Sequence, residues 1–126
     1  MKKIFILFTL FLFTASVVSS MTFDEAFSQV NNKPMAVLVY ADWADGYQNA
    51  LQQFKAVEKN LAAQYNFVEM DIATINAKSF NKKYHIYPNL PYVTTFRESG
   101  KISRYIDAAC VCDYDCLKTK LNAFIR

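Results

Sequence analysis

The stretch from Val37 to Tyr47 constrains the fold of this chain more than any other. Val37–Tyr40 is a run of apolar side chains, typical of a strand that is buried on both faces of a sheet. The run breaks into a polar turn that contains Gly46, and a long helical periodicity begins directly after it. A strand, a turn and a helix N-terminus form the junction where α/β proteins usually bind ligands. The sequence therefore predicts a functional site at this junction.

The apolar periodicity predicts a single α/β domain with the element order α-β-α-β-α-β-β-α. Thr22 and Glu25 have the spacing of a capping box at the start of the first helix, and Asp113 is placed to cap the last. Helices are predicted over 22–31, 47–65, 77–84 and after Asp113, and strands over 35–40, 66–72, 92–97 and 102–106. This order favours a mixed central β-sheet flanked by helices on both faces.

The first 20 residues have the order of a secretory signal peptide. Lys2 and Lys3 precede an apolar run, and small residues follow as far as Ser20. The run is shorter than the ~20 residues that span a bilayer, although an uncleaved N-terminal anchor is the alternative. We expect cleavage after Ser20, which leaves a domain over 21–126. The sequence thus predicts a periplasmic or secreted protein that has no membrane association after cleavage.

Charge and composition exclude several classes of protein. The chain is 53% hydrophobic, which argues against disorder, and its formal net charge is +3. Because Lys2 and Lys3 lie in the predicted signal peptide, the mature chain is nearly neutral. We therefore expect no nucleic-acid partner. Export implies an oxidising compartment, in which disulfides form and persist.

Several short motifs occur in one order along the predicted mature chain. They are Lys33-Pro34 before the first strand, Tyr40-Ala41-Asp42-Trp43 at its end, Asn66–Asp71, Tyr84-His85-Ile86, Leu90-Pro91, and Phe96 through Gly100-Lys101. In this order they resemble the thioredoxin superfamily, whose cis-proline falls on Pro91. The resemblance covers essentially the whole mature region and implies a thioredoxin-like fold.

The same resemblance indicates that the family's redox chemistry is missing. Its Cys-Gly-Pro-Cys motif directly follows a Trp, and here Trp43 is followed by Ala44-Asp45-Gly46-Tyr47. Disulfide exchange needs one thiolate that attacks and a second that resolves. Neither Ala44 nor Tyr47 carries a thiol, Leu38 stands where the family has a buried carboxylate, and Gln52 stands where it often has a proline. We therefore expect no catalytic residue at the motif positions, and no cofactor.

The resemblance also implies a shallow apolar groove in which the family's substrate peptides bind as extended strands. We therefore expect a protein or peptide partner. The groove would be formed by Trp43, Tyr47, Tyr87, Leu90, Pro91 and Tyr92. The alternative is that these side chains only cover the end of the sheet.

Three cysteines, Cys110, Cys112 and Cys116, lie between the last strand and the last helix. In the topology that the resemblance implies, they fall at the rim of the site that lacks the motif cysteines, which we call the vacated site. Cys112 and Cys116 are one candidate for a structural disulfide that pins the last helix, and Cys110 with Cys116 is another. The odd number leaves one thiol, which could form a disulfide with another chain.

Two other interpretations of the cysteines stay open. A thiolate at Cys116 would be favoured by the N-terminus of the last helix, so the three could act as a displaced thiol-disulfide oxidoreductase or isomerase site. Three thiolates on a short loop could also bind copper or zinc. The single histidine, His85, is more typical of ordinary surface or core than of a fourth ligand. The sequence favours a binding or accessory module and leaves exchange and soft-metal binding as alternatives.

Overall fold

The computed structural model of this protein describes residues 21–125, so the predicted signal peptide lies outside the described residues. The elements in chain order are α1 (Phe23–Ser28), β1 (Met35–Tyr40), α2 (Tyr47–Leu61), β2 (Asn66–Asp71), α3 (Asn76–Tyr84), β3 (Tyr92–Arg97), β4 (Ile102–Ile106), α4 (Ala108–Val111) and α5 (Tyr114–Phe124). None of the helices in residues 21–125 is both long and apolar enough to cross a membrane.

The four strands form one mixed sheet in the order β2-β1-β3-β4. β1 is parallel to β2 and antiparallel to β3, and β4 is antiparallel to β3. Residues Met35 to Val39 of β1 are fully buried, because β1 is central and both of its faces are covered. α2 and α5 pack on one face, and α1 and α3 pack on the other. This confirms the predicted mixed sheet with helices on both faces.

Two helices are shorter than the periodicity predicted. α1 has the predicted capping box of Thr22 and Glu25, but it ends at Ser28. α2 ends at Leu61, and a turn over 62–64 then carries Tyr65 into the core, where its hydroxyl donates to the carbonyl oxygen of Leu121 at 2.7 Å. Burial raises the pKa of Tyr65. A buried phenol needs such a partner, so Tyr65 links the end of α2 to α5 without belonging to the helix.

α4 is a single helical turn that the periodicity did not predict. Asp107 caps it by accepting a hydrogen bond from the backbone N–H of Cys110 at 3.1 Å. Asp113 then caps α5, as predicted, by accepting from the N–H of Cys116 at 3.1 Å. Four residues are too few for an apolar repeat to be visible in a sequence. The turn matters because it sets the directions of the Cys110 and Cys112 side chains.

The topology brings four connecting segments to one end of the sheet. β1 and β2 end side by side, where Tyr40 pairs with Asp71, and β3 begins beside the end of β1, where Val39 pairs with Tyr92. β4 ends beside the start of β3. We call this part of the molecule the site end. The segments that meet there are 41–46, 71–75, 86–91 and 107–116.

Candidate functional site at the end of the sheet

The turn after β1 presents an exposed aromatic side chain next to the N-terminus of α2, but it carries no thiol. Trp43 is 70% exposed, whereas Ala44 is buried. Gly46 precedes α2 with a φ of +82°, a conformation that glycine adopts without strain. The ring of Tyr47 stacks on that of Tyr40, with 6.0 Å between centroids and 5° between planes. Tyr47 therefore packs along the end of β1. Leu38, earlier on the same strand, is a fully buried apolar residue.

The disulfide joins Cys110 to Cys116, with 5.2 Å between their Cα atoms. This corrects the candidate pair of Cys112 with Cys116, and the other predicted pairing is the one formed. α4 turns Cys110 into the core, where it is 7% exposed and belongs to the same buried cluster as Leu117 of α5. Cys112 follows as the C-cap of α4 and faces α2 instead. The unpaired thiol among the three is therefore that of Cys112.

Cys112 lies against the N-terminus of α2. Its Sγ is 3.7 Å from the carbonyl oxygen of Gly46, and its own carbonyl oxygen accepts a hydrogen bond from Nδ2 of Asn49 at 3.3 Å. The cysteine segment therefore does lie at the rim of the vacated site. Burial raises the pKa of the Cys112 thiol, and the carbonyl oxygen of Gly46 can accept a hydrogen bond from its S–H group. Both effects favour the neutral thiol over the thiolate that attacks disulfides.

The metal alternative finds no support in the described chain. Over residues 21–125, no group of three or more His, Cys, Asp or Glu side chains is arranged to hold a metal ion. Two of the three sulfur atoms that the alternative needs, those of Cys110 and Cys116, are joined in the disulfide. His85 is exposed at the end of α3 and belongs to no such group.

The predicted groove residues differ widely in exposure. Tyr87 is 48% exposed, and its backbone N–H donates to the hydroxyl of Tyr92 at 3.2 Å. The two rings lie 5.3 Å apart, so the buried Tyr92 supports the loop that presents Tyr87. The peptide bond between Leu90 and Pro91 is cis. Trp43 is exposed, Tyr47 and Leu90 are half-buried, and Pro91 and Tyr92 are buried.

Two open concavities lie at the site end. A concavity of 430 Å³ is lined by residues 42–49, and one of 420 Å³ is lined by Tyr87, Pro88, Asn89 and Tyr105.

Two exposed apolar residues in this region were not predicted from the sequence. Ile75 is 76% exposed and Tyr105 is 42% exposed. Ile75 follows Thr74 in the short segment between β2 and α3, and Tyr105 precedes the buried Ile106 on β4. These local sequence positions were the available signals that the two side chains would be exposed.

Reduction of the Cys110–Cys116 disulfide is expected to lower the free energy of unfolding by about 2 kcal/mol, because the bond closes a short loop and removes little chain entropy. Urea unfolding with and without a phosphine reductant measures this, and Cys116→Ser should reproduce the loss. Cys112→Ser is the matched control and should cost less than about 1 kcal/mol, as expected for a half-buried side chain outside the bond. Equal losses in the two variants would show that Cys112 takes part in the structural disulfide.

Solved thioredoxin structures have the same fold as this chain. The thioredoxin of Malassezia sympodialis is 15% identical with a TM-score of 0.66, covering 83% of this chain and 87% of its own. Mitochondrial thioredoxin 3 from Saccharomyces cerevisiae in its oxidised form is 12% identical with a TM-score of 0.64, covering 86% and 96%. Fasciola hepatica thioredoxin is 12% identical with a TM-score of 0.64, covering 80% and 89%. No protein-family model matches the sequence, and no curated protein matches it significantly. These similarities establish the thioredoxin fold and leave the function to be argued from the residues of this chain.

Proposed function

We propose that this thioredoxin-fold chain is an exported binding or accessory module that docks an extended segment of a protein partner at the site end. It carries out no thiol-disulfide exchange through the motif positions, because Ala44 and Tyr47 carry no thiol. The predicted signal peptide supports export, as does a disulfide of the kind that oxidising compartments maintain.

One observation carries this proposal. Within residues 21–125, every large hydrophobic side chain that is strongly exposed belongs to the site end or to the strand beside it. Trp43 follows β1, Ile75 follows β2, Tyr87 precedes β3, and Tyr105 is the second-last residue of β4. Confinement of the strongly exposed apolar side chains to one end of the domain favours an interaction site there, and Trp and Tyr are enriched where partners bind. The site end is therefore the surface best suited to a partner.

The site end is also held in place by contacts that do not depend on a partner. Tyr92 supports Tyr87 through a hydrogen bond and ring packing, and Tyr105 packs on both rings at 5.2 and 5.4 Å. The hydrogen bond from Asn49 to Cys112 ties the last connecting segment to α2. A surface that is already ordered loses less conformational freedom on binding.

An extended segment fits the geometry of this surface. β4 is the last strand on its side of the described sheet, and Tyr105 lies on it. Extended peptides commonly bind by adding a strand to such an edge, while their side chains enter neighbouring pockets. The concavity between Tyr87 and Tyr105 is placed to receive one of those side chains.

Reduction of insulin by dithiothreitol tests the absence of exchange chemistry. We expect the purified protein to leave the rate at its uncatalysed value, because the motif thiols are absent and Cys112 is held as a neutral thiol. A thioredoxin with an intact Cys-Gly-Pro-Cys motif serves as the positive control. A rate well above background that disappears in Cys112→Ser would instead assign the function to exchange at the C-terminal cysteines.

A further inference from the structure

The charged side chains are distributed unevenly between the two ends of the sheet. The four segments of the site end, 41–46, 71–75, 86–91 and 107–116, contain no Lys or Arg. The nearest cations along the chain are Lys78 and Lys118, inside α3 and α5, and Arg104 in the middle of β4. The acidic residues of the site end are Asp42, Asp45, Asp71, Asp107, Asp113 and Asp115. The surface around the exposed apolar side chains is therefore negative.

Cations collect at the opposite end of the sheet. Lys33 lies before β1, Lys82 and Lys83 lie in the last turn of α3, and Arg97 and Lys101 flank the hairpin turn between β3 and β4. Glu98 in the same turn forms an ion pair with Arg97, so one carboxylate offsets part of this positive charge. The small net charge of the whole chain still conceals a separation of charge between the two ends of the sheet. This separation becomes visible only once the topology has placed each segment.

The carboxylates at the site end are not neutralised by ion pairs within the described chain. The ion pairs found over residues 21–125 join Lys55 to Glu69 and Arg97 to Glu98, and neither lies at the site end. Asp71, like the two capping residues, accepts a hydrogen bond from a backbone N–H. These three carboxylates are thus paired with backbone N–H groups and not with cations. Asp42, Asp45 and Asp115 are exposed to solvent.

We infer that the segment docked at the site end is cationic, with Lys or Arg side chains between apolar anchor residues. This inference rests on the proposed function and names the chemistry of its partner. The apolar anchors would contact Trp43 and the pair of Tyr87 and Tyr105, while the basic side chains would lie over the surrounding carboxylates. Complementary potentials of this kind speed association and reject partners of the wrong sign. The exposed indole of Trp43 can also bind a guanidinium or ammonium group through its face.

Other occupants fit this surface less well. Nucleic acids, anionic lipid surfaces and acidic peptides would bring negative charge against the carboxylates. A second copy of the chain could present its basic end, which would give head-to-tail association. Self-association that is strong at low salt and is lost in the double variant Asp42→Asn/Asp45→Asn would overturn the inference in favour of a second copy.

Selection from a random peptide library tests the inference without assuming a sequence. The library displays peptides of about 12 residues, longer than a typical strand, and is selected on the purified protein with counter-selection on Trp43→Ala. We expect the enriched peptides to combine Lys or Arg with aromatic or aliphatic residues. Their affinity should fall steeply between about 0.05 M and about 0.5 M salt, because exposed charges are screened.

Matched charge variants then test whether the carboxylates of the site end cause the affinity for basic peptides. Asp42→Asn/Asp45→Asn should weaken binding of the enriched peptide about three- to tenfold at low salt, whereas Glu58→Gln/Glu98→Gln, which removes the same charge elsewhere, should change it less than about twofold. Enriched peptides without net positive charge, or equal effects of the two double variants, would overturn the inference and leave the proposed docking intact. No enrichment on the wild-type protein over Trp43→Ala would overturn both.

Discussion

Phe54→Ala is expected to lower the free energy of unfolding by about 3–5 kcal/mol, the cost of removing a fully buried aromatic ring. Phe54 lies on α2 with no exposed surface, and its ring meets that of Phe67 on β2 edge to face at 5.2 Å. Truncation would leave a cavity between the helix and the sheet that a close-packed interior does not refill. The loss would be a large fraction of the roughly 5–15 kcal/mol by which native domains are stable.

Urea unfolding measures this loss, and Gln52→Ala is the matched control. Gln52 is exposed two residues earlier on the same helix, so its replacement should change the free energy of unfolding by less than about 0.5 kcal/mol. A loss below about 1 kcal/mol for Phe54→Ala would contradict the packing of α2 on the sheet.

Much of the fold could be predicted because its elements carry strong local signals. The uninterrupted apolar run of β1 requires cover on both faces of the sheet, and the structure provides it. Thr22 and Asp113 cap their helices as predicted, since capping depends on residues only three positions apart. The start of α2 at Tyr47 follows from the turn at Gly46.

The candidate site was harder to predict because it depends on directions in space. Sequence spacing allows Cys116 to pair with either other cysteine, and only the turn of α4 sends Cys110 toward α5 and Cys112 toward Gly46. Ile75 and Tyr105 are ordinary residues of a loop and a strand until the sheet register brings their segments to the same end as Trp43. Separation of charge is likewise a property of the topology and not of the composition.

Trp43→Ala is expected to have the largest effect on docking. Trp43 is 70% exposed on a turn fixed between β1 and α2, so it can be covered by a partner without any rearrangement of the core. Anchor tryptophans of interfaces typically contribute at least about 2 kcal/mol, which corresponds to an affinity about thirtyfold weaker after truncation. The free energy of unfolding should change by less than about 0.5 kcal/mol, because an exposed ring contributes little to the core.

Calorimetric titration of a peptide enriched from the same library without counter-selection on Trp43→Ala tests the docking site most directly. Gln64→Ala is the control, because Gln64 is exposed and lines a separate concavity of 390 Å³ with Val30, Pro34 and Arg97 at the opposite end of the sheet. The account predicts that the wild-type protein and Gln64→Ala bind the peptide equally and that Trp43→Ala binds it about thirtyfold more weakly. Unchanged affinity in Trp43→Ala, or a comparable loss in Gln64→Ala, would contradict a docking site built around Trp43.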